Sequence, residues 1–206
     1  RERERECEAR LTKTKIDQIA SIISSGGVCA IPTDTVYGLA SLPTDNTAIN
    51  ELLTLKGRPE AQPIAVLFDE LSSISQYLIS SEILTHVQNY WPGAFTAVVQ
   101  VHETAGFVFP VITETNTIGI RQPDNDLTKK ILSLCGGVLA VSSANIHGSE
   151  PARNADEVEK MFGKKLVVLD GGLLNESDPS TVVDLTSYPY KILRQGPIDL
   201  SDLQIE

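Results

Sequence analysis

Lys56 and Arg58 stand two apart in LKGRPEAQP, with Gly57 between them and Pro59 and Pro63 behind. Neither a helix face nor a strand suits that composition, so the stretch reads as a loop whose cations are there to bind something. Cations are scarce in this part of an acidic chain of formal net charge -10: from Ile16 to Thr128 the only other one is Arg121. Arginine grips a carboxylate or phosphate through two parallel hydrogen bonds. Small neutral donors and acceptors accompany these charges at the ends of apolar runs. VCAI leads into Thr33 and Thr35, TIGI into Arg121, and VLAV into Ser142, Ser143 and Asn145. STVVDL opens on Ser180 and Thr181, and ILRQG contributes Arg194. Such an inventory fits an anion with a polar body, such as a nucleotide or an amino acid.

Other chemistries lack their residues. No Ser-His-Asp order, GxSxG elbow or pair of catalytic carboxylates stands out, which argues against hydrolysis. GxxxxGK[ST] and GxGxxG are both absent, so ATP would be held by cationic loops and not by a P-loop. Cys7, Cys29 and Cys135 have no metal or redox spacing, and the three histidines form no ligand pattern, so no metal site is expected.

The elements that would position these groups alternate. Ile16 to Ser24 carries an amphipathic helical period, and Gly26-Gly27 ends it. Helices are also predicted over Asn46–Leu55, Leu71–Tyr90 and Ala155–Phe162, with Asn46 and Asn154 as N-caps. The runs at 28–31, 63–68, 95–101, 117–120, 138–141, 165–170, 180–185 and 190–194 read as strands. Several follow one another without a helix, which implies antiparallel pairs. The fold class is α/β, a twisted mixed parallel and antiparallel sheet flanked by helices, with ligands beyond the strand ends. Trp91-Pro92-Gly93 reads as a helix stop with a packed indole, Tyr37 as core-facing with its hydroxyl paired, and Asp184 as a loop support.

With 206 residues, 41% hydrophobic, the chain can bury one sizeable core. Residues 1–10, RERERECEAR, look like a charged arm or processed start, and 11–206 like a single domain. No apolar run approaches the ~20 residues of a membrane span, and no signal-peptide pattern opens the chain. The expected protein is soluble and cytoplasmic. Its acidic balance argues against a broad nucleic-acid surface.

Eight stretches resemble the YrdC/Sua5 family of threonylcarbamoyl-AMP synthases: GGVCAIPTDTVYGLA, LKGRPEAQPIAV, WPGAFTAVV, TIGIRQPDN, VLAVSSAN, LDGG, STVVDLT and ILRQG, in family order. They cover roughly Ile16 to Pro197, with Lys56-x-Arg58 and Ser143-x-Asn145 the most specific. The resemblance implies a YrdC-like fold with a concave cationic cavity. It implies condensation of L-threonine, bicarbonate or CO2, and ATP to threonylcarbamoyl-AMP and pyrophosphate, for t6A at position 37 of tRNA. Mg2+ would be carried largely by ATP. A separate tRNA threonylcarbamoyl transferase would use the product, and this chain would bind no tRNA stably.

By the same resemblance, Lys56 and Arg58 are catalytic and hold the ATP phosphates. Gln62, Thr117, Ser143, Asn145 and Arg194 complete the ATP site. Thr35, Arg121 and Ser180 form the threonine pocket. Three positions depart from the family: Leu67 where some members place His, Ala152 where many place Ser, and Ala94 for a commoner Pro. The chain is similar to the short, single-domain form. Two alternatives remain at this level: a carbamoyl-adenylate synthase like the modules of hydrogenase-maturation proteins, and a non-catalytic RNA-binding protein using the same cavity.

Overall fold

A computed structural model describes residues 1–57 and 63–205. Arg58 and Gln62 therefore lie outside the described residues. The chain opens with one helix, α1 (Glu2–Ser24), that runs unbroken through the charged stretch. Its side chains are buried only from Ile16 onward, at Ile16, Ile19, Ala20 and Ile23, the i, i+3, i+4, i+7 stripe read from the sequence. The preceding turns project with both charge signs exposed. Gly26, at φ +93°, closes the helix; its N–H and that of Gly27 bond Ile23 O and Ile22 O.

Strands β1 (Cys29–Ile31) and β2 (Gly38–Ser41) follow, joined across the Thr33–Thr35 loop. The remaining elements, in chain order, are α2 (Asn46–Leu55), β3 (Ala65–Phe68), α3 (Leu71–Ser75), β4 (Phe95–Gln100), β5 (Thr117–Arg121), α4 (Asp126–Leu134), β6 (Val138–Ser143), α5 (Ala155–Phe162), β7 (Thr181–Asp184) and β8 (Lys191–Arg194). The strands form one sheet in the order β1-β2-β6-β3-β5-β4-β7-β8. β3–β5 and β4–β7 are parallel, and the other neighbours are antiparallel. This is the mixed sheet expected.

Four local expectations are corrected. β2 was not foreseen, because GLAS is short and runs out of a polar loop; it forms by pairing on both sides, with β1 and β6. Residues 165–170 make a single bridge, Ala30 to Val168, before Asp170-Gly171-Gly172 turns away. The predicted Leu71–Tyr90 helix breaks after α3 into 3-10 turns at Ser81–His86 and Gln88–Tyr90. Serine hydroxyls there bond locally, as Ser73 Oγ does to Asp69 Oδ1 at 2.6 Å, and Leu78 leaves the helix to bridge Val101. Asp45, not Asn46, caps α2 by accepting from Ala48 N at 3.0 Å. Asn154 caps α5 as expected, accepting from Glu157 N.

The sheet's two faces are used differently. One packs α2, α3 and the 3-10 turns over a core containing Phe68, Phe95, Ile118 and Ile120. Trp91 lies edge-on to Phe68 at 5.1 Å and donates its indole N–H to Phe95 O, the packed stop expected of it. On the other face, α1 and α4 cover Ile31, Ala40, Leu139 and part of Leu67 and Val141. What they leave uncovered is a cavity.

Candidate active site

Strand alternation aims one set of side chains into that cavity. Leu67 pairs with Arg121 on β5 and with Leu139 on β6, so these positions are level across the sheet. Thr117 stands four residues before Arg121, and Ser143 four beyond Leu139 on the antiparallel strand. Thr117 and Ser143 therefore share one edge of the face and Arg121 marks the other, roughly 13 Å away along the strands. The cavity between them measures about 830 Å³. Five expected residues line it: Thr35, Arg121, Ser143, Ser180 and Arg194.

At the Arg121 edge the loop after β1 folds across the sheet. Thr33 Oγ donates to Val36 O at 2.6 Å and accepts from the Thr35 and Val36 amides, a hydroxyl-stabilised turn. Thr35 leaves that turn with its hydroxyl on Arg121 Nη1 at 3.3 Å. Arg121 Nε donates to Gly93 O at 3.1 Å, and Nη2 is ion-paired with Asp34 Oδ1. Of five guanidinium N–H groups, three are thus placed and two remain for a ligand. The residue is 8% exposed. Burial lowers its pKa, Asp34 opposes that shift, and Arg194 adds to it. Ser180 Oγ meets Thr96 Oγ at 2.9 Å and accepts from Arg194 Nη2 at 3.0 Å, while Arg194 Nε holds Ser180 O.

At the opposite edge Lys56 is 1% exposed. Its ammonium donates to Ser143 O at 2.5 Å and to Asn145 Oδ1 at 2.8 Å, with Ser143 Oγ at 3.3 Å. Ser143 Oγ bonds Asn145 Oδ1 at 2.7 Å, and Asn145 Nδ2 holds Ser149 O. Lys56 and Asn145 thus sit beneath Ser143 and not on the cavity wall. Gly57 continues the chain at φ +65°, a conformation that glycine adopts freely; among the described residues, Ile146 Cγ2 (3.9 Å) is what an added Cβ would meet. Thr117 shares this edge but does not line the cavity; its hydroxyl bonds Thr113 Oγ at 2.6 Å.

Several groups at the site were not read as site residues. Asp34, whose place in PTDT suits a turn, is ion-paired with Arg121. Thr96 faces the cavity because its neighbour Ala97 faces the core, an alternation visible in FTAVV. Arg153 fixes the 171–178 segment over the opening through Leu174 O at 2.9 Å and Glu176 at 3.4 Å. Tyr37 anchors the same segment: its hydroxyl donates to Gly172 O at 2.7 Å and accepts from Gly171 N at 3.0 Å. Ser177 adds a bond to Thr35 O. The wall carries Arg121, Arg153 and Arg194, but also Glu150, Glu157 and Glu176, so it is not uniformly positive. Leu67 lines it, and Ala152 is buried behind it, with its amide on Ala144 O and its carbonyl on Tyr37 N. No described helix is long and apolar enough to cross a membrane.

The family model for Sua5, YciO and YrdC proteins, described as telomere recombination, matches residues 21–196. A threonylcarbamoyl-AMP synthase of Photorhabdus laumondii is 34% identical over 188 residues, covering 87% of this chain and 95% of that protein. One of Pyrococcus abyssi is 31% identical over 199 residues, covering 95% of this chain but 58% of that protein. The crystal structure of P. abyssi Sua5 complexed with L-threonine superposes with a TM-score of 0.79 at 28% identity, over 93% of this chain and 58% of that one.

Proposed function

The chain belongs to the Sua5/YciO/YrdC family, and from that premise we propose that it is an L-threonylcarbamoyladenylate synthase, a nucleotidyltransferase serving t6A formation at position 37 of tRNA. The observation that carries this reading is the two-ended cavity. One edge offers a buried guanidinium with two open N–H groups among hydroxyls, suited to an amino-acid carboxylate. The other offers Ser143 above the Lys56 ammonium, suited to a triphosphate.

In this reading Arg121 holds the threonine carboxylate, with Thr35 and Ser180 beside it. The threonine amine adds to CO2 and loses a proton, giving the carbamate. A carbamate oxygen then attacks the α-phosphorus of ATP in line, the Pα–O bond to the β-phosphate breaks, and pyrophosphate leaves. Lys56 and Arg58 offset the charge that develops on the phosphates. Ser143, Asn145, Gln62, Thr117 and Arg194 hold the nucleotide. Both substrates in one cavity turn a bimolecular encounter into an oriented one. Mg2+ travels with ATP, whose phosphate oxygens would supply most of its ligands. The product passes to a separate tRNA-modifying transferase, and no stable tRNA complex is expected of a chain this acidic.

The test is pyrophosphate release from ATP with L-threonine, bicarbonate and Mg2+ each omitted in turn. Release that needs all three, with serine much poorer than threonine, is the expected result. Release independent of threonine, from a folded protein, overturns the reading.

A further inference from the structure

Asp34 stands in PTDT without a role in the scheme above, yet it makes the ion pair at the centre of the carboxylate end. Its position is specific. Thr35 and Arg121 both line the cavity, whereas Asp34 does not. Its carboxylate engages Nη2 of the guanidinium while Nη1 turns to Thr35 and Nε to Gly93 O. The pair is well shielded, with side chains 9% and 14% exposed. The other charge that Arg121 feels is Arg194, whose guanidinium is turned to Ser180 O and Oγ. Arg153, farther along the wall, is offset by Glu176. Two arginines and one aspartate leave this end with a single net positive charge.

We propose that Asp34 is a specificity-determining residue that tunes the Arg121 end to a monocarboxylate and rejects polyphosphate. This deepens the proposed function, since it rests on Arg121 receiving the threonine carboxylate. The reason is the scaling of Coulomb energy with charge. An arginine without its counter-ion attracts a triphosphate or pyrophosphate more strongly than a carboxylate, in proportion to the anion's charge. With Asp34 the net charge of this end falls from two to one and that advantage is halved, while the two open N–H groups still recognise a planar carboxylate by geometry. The device matters in a cavity that must hold ATP and threonine together. Without it, the phosphates would have two cationic ends to choose between, and an inverted ATP would block its co-substrate. Specificity of this kind comes from a repulsive element placed against the wrong ligand.

Pyrophosphate is the probe. With the wild-type chain, inhibition of the threonine-dependent reaction by pyrophosphate is expected to be competitive against ATP and not against threonine. In Asp34→Asn, pyrophosphate becomes competitive against threonine as well, with an inhibition constant about fivefold or more below the wild-type value. Asp34→Glu, which keeps the charge, retains the wild-type pattern. A rise in threonine KM in Asp34→Asn with an unchanged inhibition pattern would make Asp34 a mere brace and overturn the proposal. Should Asp34→Asn not fold, the wild type still decides: pyrophosphate competing with threonine in equilibrium dialysis overturns the proposal, and independent binding upholds it. Absence of threonine-dependent release from wild type counts against the proposed function itself. Threonine-dependent release with pyrophosphate already competing against threonine counts against Asp34 alone.

Discussion

The two edges of the cavity hold buried cations in opposite ways. Arg121 faces the cavity, paired with a carboxylate, its orientation fixed by Gly93 O, Thr35 and Asp34. Lys56 lies beneath the wall, and its ammonium meets the carbonyl and hydroxyl of Ser143 and the amide oxygen of Asn145. A ligand carboxylate can add to Arg121 without breaking any of its bonds. A phosphate oxygen reaches the Lys56 ammonium by taking the place of one of its acceptors. In the proposed scheme the first edge would be preset for recognition, and the second would exchange contacts as its ligand arrives. Binding should therefore fail first when the Arg121 edge is damaged, and chemistry when the Lys56 edge is.

The largest effect is expected from Lys56→Ala. Pyrophosphate release should fall by at least about 100-fold, the scale of losing one preorganised charge at a reacting phosphate. Stability should fall too, by about 2–3 kcal/mol, because the substitution takes a charged donor from Ser143 O and Asn145 Oδ1. A denaturant titration run beside the kinetic assay separates the two losses. An active Lys56→Ala protein would remove the difference between the edges altogether.

Arg121→Lys comes next. It keeps the positive charge against Asp34 but loses the planar fork. The threonine KM should rise about 10- to 30-fold, as expected for one lost charge-assisted hydrogen bond, while the KM for ATP moves by less than about twofold. Equal rises in both would mean that the edges do not divide the substrates.

Arg194 tests what lies between. The family resemblance puts it with the nucleotide, but its guanidinium rests on Ser180, a residue proposed for the threonine pocket, and acts electrostatically on Arg121. Those placements agree if Arg194 sits where carbamate and α-phosphate meet. Arg194→Gln should then lower kcat about tenfold with little change in either KM, the signature of a contact made in the transition state. A change confined to the KM for ATP would return Arg194 to the nucleotide edge.

The sequence was most legible where chemistry is rare. Lys56 and Arg121 were singled out because cations are scarce around them, and Ser143 and Asn145 because they end an apolar run. Regular elements with clear caps were legible too: α5 begins at Asn154, and α1 buries the stripe from Ile16 to Ile23. What stayed hidden depends on contacts far along the chain. Asp34 looks like a turn residue until β5 brings Arg121 against it, 87 positions later. β2 exists because β1 and β6 flank it, and 165–170 fails to become a strand because only Val168 finds a bridging partner. Serines that bond their own neighbourhood broke the helix over 71–90, where periodicity alone predicted continuity.

The smallest expected effect belongs to a residue common to both edges. The 171–178 segment runs over the cavity without regular structure and is tied down at Tyr37, Arg153 and Thr35. Tyr37 is fully buried, and its hydroxyl makes two of those ties at once, donating to Gly172 O and accepting from Gly171 N. Tyr37→Phe keeps the ring and removes both. The cost should be about 1–2 kcal/mol, the net worth of two hydrogen bonds, one donated to Gly172 O and one accepted from Gly171 N. Neither substrate touches this hydroxyl in the proposed scheme, so its loss cannot favour one edge. A looser cover should raise the KM for threonine and for ATP together, each about threefold, well under the tenfold that the same cost would give if it fell wholly on binding. Arg153 still holds Leu174, which is why the effect stays small. If only one KM moved, the segment would belong to that edge, and the cover would be part of one binding site instead of a roof over two.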